Sequence, residues 1–186
     1  MKPYVSVVVP AYNEAESLPE LMERVKSALA GTGRGWELIV VDDGSTDGTR
    51  DVLRRLAAEV PELRHRSFLR NYGKSAALSV GFADARGERI ITMDADLQDD
   101  PAEFPALLAR IDEGWDLVSG WKQVRHDPPS KTVPSKLFNA VTGAVAGVRL
   151  HDFNCGLKAY RAHVAKGLPV YGELHRYIPV LASRRG

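Results

Sequence analysis

The sequence predicts an α/β fold with helices on both faces of a mostly parallel central sheet, and three observations predict it. Short β-branched runs alternate with amphipathic helical segments, the spacing expected when each strand is followed by a crossover helix. The runs are almost continuously apolar rather than alternating, as in strands covered on both sides. The unusual polar residues fall where strands end, which on such sheets is where ligands bind.

The elements follow in chain order. Val5-Ser6-Val7-Val8-Val9 reads as the first strand. Ser17 and Glu20 have the spacing of a capping box and open a helix with Leu18, Leu21, Met22, Val25 and Leu29 on one stripe. Glu37-Leu38-Ile39-Val40-Val41 is the second strand, and Val52, Leu53, Leu56, Ala57 and Val60 mark the helix after it. Leu63 to Leu69 is a weaker strand, followed by a helix-like stretch from Ser75 to Ala85. Arg89-Ile90-Ile91-Thr92-Met93 is a further strand. In Asp100-Pro101-Ala102-Glu103 an N-cap, an N1 proline and an N3 acid open a helix that turns Phe104, Leu107, Leu108 and Ile111 inward. Trp115-Asp116-Leu117-Val118-Ser119 completes the strands.

At 186 residues, 44% apolar and 26% charged, the chain has the composition of one globular unit rather than a disordered one. A net charge of +1 offers no footprint for nucleic acid, so any anion site has to be local. Cys155 is the single cysteine; it excludes an internal disulfide and reads as a small buried residue. The first residues lack a signal-peptide layout, and no apolar run approaches the roughly 20 residues of a membrane span. A chain of cytosolic character follows, one still able to sit on a membrane.

Three strand ends carry the chemistry. The first ends in Pro10-Ala11-Tyr12-Asn13-Glu14, the second in Asp42-Asp43-Gly44-Ser45-Thr46-Asp47-Gly48-Thr49, and the fourth in Asp94-Ala95-Asp96-Leu97-Gln98. Carboxylates delivered to one edge repel each other unless a cation or donor groups compensate. Asp94 and Asp96, with the Gln98 amide oxygen, suit Mg²⁺ or Mn²⁺, hard cations that share oxygen ligands with a substrate's phosphates. A lone D-x-D would more often only cap the following helix; the acids on the other two strand ends weigh against that. Arg70 and Lys74 bracket a glycine before a helix, where cations can neutralise a diphosphate.

With Arg70-Asn71-Tyr72-Gly73-Lys74, these stretches resemble the family-2 glycosyltransferases of GT-A fold, from residue 5 to about 120. Asp152-Phe153-Asn154-Cys155-Gly156-Leu157-Lys158 and Gly172-Glu173-Leu174-His175-Arg176 look like the polyprenyl-phosphate branch of that family. The resemblance implies a nucleotide-diphospho-sugar transferase in which Pro10, Tyr12, Glu14, Val40 and Asp42 form the nucleotide pocket. Asp94 and Ala95 would then lie at the diphosphate, with the metal on Asp94, Asp96 and Gln98. Lys122 stands where the branch often has arginine, keeping the charge but losing the bidentate fork.

The chemistry expected is inverting transfer from a UDP- or GDP-linked sugar to a polyprenyl phosphate. The metal on Asp94 and Asp96 meets the charge building on the leaving diphosphate, which makes Asp96 catalytic. A lipid phosphate, with a second pKa of roughly 6, needs no strong base. A sugar hydroxyl would need one, and Asp152 is the candidate. In the polyprenyl-phosphate branch the basic stretch Lys122 to Lys136 would lie near the acceptor phosphate and anionic head groups, and the resemblance implies a place at the cytoplasmic face of the membrane. The apolar stretch Leu137 to Val148 suits a membrane interface or, equally, a packed core helix.

Residues 1–186 read as one catalytic core, truncated after Arg184-Arg185 relative to a branch that continues with a further basic motif. Two rival readings stay open: a soluble transferase that extends a glycan or small molecule, and a donor-binding core without turnover. A dinucleotide-binding oxidoreductase is discarded, because no G-x-G-x-x-G follows the first strand. Oligomeric state leaves no trace in the sequence.

Overall fold

A computed structural model describes residues 2–121, 152–153 and 155–184. Strands β1 (Val5–Ala11) and β2 (Trp36–Asp42) are buried almost throughout, because their successive side chains point into two separate apolar layers. Val5, Val7, Val9, Leu38 and Val40 face one layer, closed by helix α1 (Leu18–Ala30), by Leu53 of helix α2 (Thr49–Glu59) and by helix α4 (Phe104–Asp112). Val8, Ile39 and Val41 face the other, where helix α3 (Lys74–Asp84) contributes Ala77, Leu78 and Phe82.

The sheet has six strands in the order β3-β2-β1-β4-β6-β5, with β3 at Leu63–Ser67, β4 at Arg89–Thr92, β5 at Leu117–Ser119 and β6 at Lys158–Arg161. β1, β2, β3 and β4 pair in parallel, while β6 runs antiparallel to both β4 and β5. The strand order reverses across β1 and β4, so the loops leaving their carboxyl ends diverge and open a crevice. Short helices α5 (Ala162–Gly167) and α6 (Ile178–Ser183) close the β6 side.

Two local expectations are corrected. Ser17 makes no capping bond to its helix; its hydroxyl instead donates to Glu14 Oε2 at 2.6 Å and to the Glu14 carbonyl at 3.1 Å. Strand β6 is an addition that the sequence reading did not contain. Asp100 does cap as expected, accepting the Ala102 N–H at 3.0 Å, although a 3₁₀ turn (Pro101–Glu103) precedes α4.

At the opposite end of the sheet lies a buried polar network. The Ser6 hydroxyl donates to Glu37 Oε1 at 2.6 Å, the Arg86 N–H donates to the same oxygen at 2.7 Å, and Arg64 donates to Oε2 at 2.9 Å. Burial pushes the Glu37 carboxyl up, but these donors outweigh it and hold the group below its ordinary value.

Candidate active site

Two loops at the carboxyl edge interlock before any ligand is considered. Asn13, held at φ 58°, donates its N–H to Ser45 Oγ at 2.9 Å and accepts the Thr46 N–H on its side-chain oxygen at 2.9 Å. Asp47 accepts from the Ala15 N–H at 3.2 Å and from the Thr49 N–H at 2.9 Å. These bonds satisfy the backbone where β1 and β2 end, so their side chains stand on a rigid rim.

Asp43 ties in the third element. Its N–H donates to the Ala11 carbonyl at 2.8 Å, while its two carboxylate oxygens accept the N–H groups of Tyr72 at 2.7 Å and Gly73 at 2.9 Å. A carboxylate at the opening of α3 suits the positive end of that helix. The result is a fixed start for α3, with Lys74 as its first residue.

Lys74 reaches across to the loop that leaves β4, where its Nζ lies 2.5 Å from Asp94 Oδ1. Asp94 is seated against Gly156, and its backbone N–H donates to Asp99 Oδ2 at 3.2 Å. After it the chain turns sharply at Leu97, φ 62°, and the Gln98 N–H donates to Asp96 Oδ1 at 3.1 Å.

Two cavities meet at this ion pair, sharing Pro10, Lys74 and Asp94 as their common wall. The outer, about 320 Å³, is lined further by Tyr12, Glu14, Asp43, Asn71, Ala95 and Asp96. The inner, about 290 Å³, lies on the β6 side against Thr92, Gly156, Lys158, Tyr160, His175 and Arg176. Lys158 is 4% exposed, and its amine donates to the Cys155 carbonyl. Burial pushes its pKa down, opposed first by Cys155 and then by Asp94 and Asp152, while Lys74 adds to the lowering. His175 accepts or donates at 2.9 Å between Nδ1 and Ser75 Oγ, and burial first, then Lys74, lowers its pKa and favours the neutral ring. Burial likewise pushes the Tyr160 phenol up. The Cys155 thiol is free, buried and raised in pKa by that burial.

Of the residues singled out in the sequence, Pro10, Tyr12, Glu14, Lys74, Asp94, Ala95 and Asp96 come together on the cavity walls. Five others stand elsewhere. Val40 is in the core. Asp42 is fully buried, accepting the Ser45 N–H at 2.9 Å and lying 3.7 Å from Arg50, so its neighbour Asp43 takes the cavity wall. Arg70 is exposed and stacks over Tyr72 at 5.0 Å. Gln98 is exposed and lines neither cavity. Asp152 is 3% exposed and also outside both linings; its carbonyl accepts from Ser119 Oγ at 3.5 Å. Lys122, the basic stretch and the apolar stretch after it lie outside the described residues. From sequence, Asp43, Lys158 and His175 carried no separate role, although all three lie within the stretches quoted above.

Among the described residues no three His, Cys, Asp or Glu side chains cluster as a ready-made metal cage. A hard divalent ion needs none: Mg²⁺ in particular is held by one or two carboxylates plus phosphates and water. Asp94 and Asp96 supply that pair of oxygen donors on the wall of one cavity, and they fit.

A mostly parallel sheet with a reversed antiparallel flank is the architecture of the GT-A fold, which this chain shares with solved glycosyltransferases. The chain belongs to glycosyl transferase family 2, whose model matches residues 6–168. It is 41% identical over 182 residues to an undecaprenyl-phosphate 4-deoxy-4-formamido-L-arabinose transferase of Shewanella sediminis, covering 97% of this chain and 55% of the relative. It is 42% identical over 178 residues to a dodecaprenyl-phosphate galacturonate synthase of Rhizobium johnstonii, covering 94% and 53%. The chain thus spans little more than half the length of these relatives. Among solved structures, the mannosyltransferase PcManGT of Pyrobaculum calidifontis, in complex with GDP-Man and Mn²⁺, superposes with a TM-score of 0.64 at 25% identity, covering 92% of this chain and 48% of that one. No described helix is long and apolar enough to cross a membrane.

Proposed function

We propose that this chain carries the catalytic core of an inverting transferase that moves a sugar from a UDP- or GDP-linked donor to a polyprenyl phosphate. The observation that carries the reading is the pair of cavities divided by Lys74 and Asp94. A nucleotide in the outer cavity, its base against Tyr12, puts its diphosphate at that divide and its sugar toward the inner cavity. Relatives named for transfer to polyprenyl phosphates support the acceptor class.

A divalent ion held by Asp94 and Asp96 would take up charge on the departing diphosphate. The chain's own groups do the rest. With Lys74 paired to Asp94, Lys158 and Arg176 leave the inner cavity net cationic, which suits a phosphate nucleophile that is already ionised near neutral pH. No general base is then required, and we read buried Asp152 as a charge partner that helps keep Lys158 protonated. The cations of the basic stretch that begins at Lys122 suit anionic lipid head groups, and the site of action would be the cytoplasmic face of the membrane.

The test is to incubate the protein with Mn²⁺, labelled UDP- and GDP-sugars and either undecaprenyl phosphate or soluble sugar acceptors. Label should pass to the organic phase only with the lipid phosphate. Asp96→Ala should lower the rate by at least about 100-fold, as losing one stabiliser of developing charge does. Transfer to the soluble acceptors alone would overturn the acceptor assignment.

A further inference from the structure

We propose that Lys74 holds the metal's place on Asp94 until a nucleoside diphosphate draws it away, so that metal and donor bind as a coupled pair. The idea rests on the donor reading above and adds a role that reading does not contain.

The geometry forces a competition. The ammonium lies 2.5 Å from Asp94 Oδ1, so a divalent ion taking that carboxylate meets a like charge on its ligand. Asp94 has little room to retreat. A Cβ on the residue behind it, Gly156, would sit 2.7 Å from the carboxyl carbon, and buried Lys158 stands on the same side. Lys74 is differently placed. Its backbone is pinned, because Asp43 holds the two preceding N–H groups, but its side chain is a flexible four-carbon stem that is 34% exposed. It also lines the outer cavity, so a diphosphate arriving there offers the ammonium a second partner without any backbone movement. Once the ammonium turns to the phosphates, Asp94 is released to the metal. By linkage the metal must favour the diphosphate by the same factor.

This exchange has a signature that an ordinary phosphate-binding lysine lacks: removing the charge strengthens binding of the metal alone while weakening that of the nucleotide. Mn²⁺ is titrated into the full chain without nucleotide, with the free ion read by its electron paramagnetic resonance signal. UDP and GDP are titrated in parallel by calorimetry at saturating Mn²⁺. K74Q should bind Mn²⁺ alone more tightly than the natural chain by a factor in the usual range for coupled sites, about 5 to 150. It should bind the preferred nucleoside diphosphate more weakly, while K74R should match the natural chain toward Mn²⁺ alone. The gain should vanish in K74Q/D94N, which locates the ion on Asp94. K74M serves as a second neutral variant if the glutamine variant folds poorly. If the natural chain binds a nucleoside diphosphate with Mn²⁺ but neither neutral variant gains affinity for Mn²⁺ alone, the coupling is overturned and the donor reading stands. If the natural chain binds neither diphosphate at saturating Mn²⁺, both fall together.

Discussion

A methyl group added to Gly156 would lie 2.7 to 2.8 Å from the carboxylate atoms of Asp94, closer than side chains tolerate. The colliding atoms are the end of a side chain rather than backbone, so the protein can yield by moving Asp94 alone. Gly156→Ala is therefore expected to leave urea stability within about 1 kcal/mol of the natural chain. It should weaken Mn²⁺-dependent nucleotide binding by about 10 to 100-fold, as changes around a metal ligand's support commonly do. Unchanged nucleotide affinity by calorimetry would show that Asp94 does not need its seat. The same neighbourhood shows how far side-chain chemistry was legible beforehand. Asp94 and Asp96 stood out because acids at the tip of an apolar strand demand compensation. Lys158 and His175 did not, because their meaning depends on a strand and a turn that fold back beside β4 from far along the chain. Asp42 and Asp43 are adjacent and chemically identical, and only the direction of each side chain at the strand end separates a core-facing acid from one on the cavity wall.

The loops at the carboxyl edge depend on one backbone feature more than on any side chain. Gly44 sits at φ 74°, and a Cβ there would come within 2.2 Å of the Arg70 carbonyl carbon. Left-handed strain costs about 1–3 kcal/mol in a non-glycine residue, and forcing an overpacked contact costs a similar amount. Gly44→Ala should thus lose roughly 2–6 kcal/mol of stability in equilibrium urea unfolding, a large part of a typical 5–15. A loss below 1 kcal/mol would mean that the β2–α2 loop is not wedged against the β3–α3 loop. Long apolar strands such as β1 and β2, and helices with a full apolar stripe such as α1 and α4, were legible because their periodicity runs for several residues. Strand β6 was not, since Lys-Ala-Tyr-Arg is four residues long and begins with a cation that is buried only because it borders the site. The apparent capping box at Ser17 failed for a related reason. The hydroxyl had a competing acceptor in Glu14, which the loop geometry brings to 2.6 Å.

Charges spread over the whole fold give it a common response to acid. Glu37, Asp84 and Asp112 all titrate below their ordinary values: for Glu37 and Asp112 burial works the other way but is outweighed by hydrogen bonds and arginines, and for Asp84 the Arg66 hydrogen bond leads. Asp47 is lowered as well, by Thr49 and backbone N–H groups acting against burial. A carboxyl depressed in the folded state binds fewer protons than in the unfolded chain, so its stabilisation is complete above the ordinary 3.8 or 4.5 and is lost as pH falls through the folded value. His65 and His175 are also lowered, mainly by burial, from an ordinary 6.5. The unfolded chain therefore takes up their protons first, and stability begins to fall as pH drops below that point. Both classes act in the same direction, in two windows. Urea midpoints should decline gently from pH 7 to 5 and more steeply below about 4.5. Glu37→Gln should be less stable at pH 7, because Arg64 loses its charged partner and the buried oxygens lose charge-assisted bonds, and its acid limb should be shallower. A double His65→Gln and His175→Gln variant should flatten only the upper window. Midpoints that hold steady from pH 7 to 3 would mean that these groups carry no linkage to folding, and that the network joining Ser6, Glu37 and Arg64 is not what fastens the far end of the sheet.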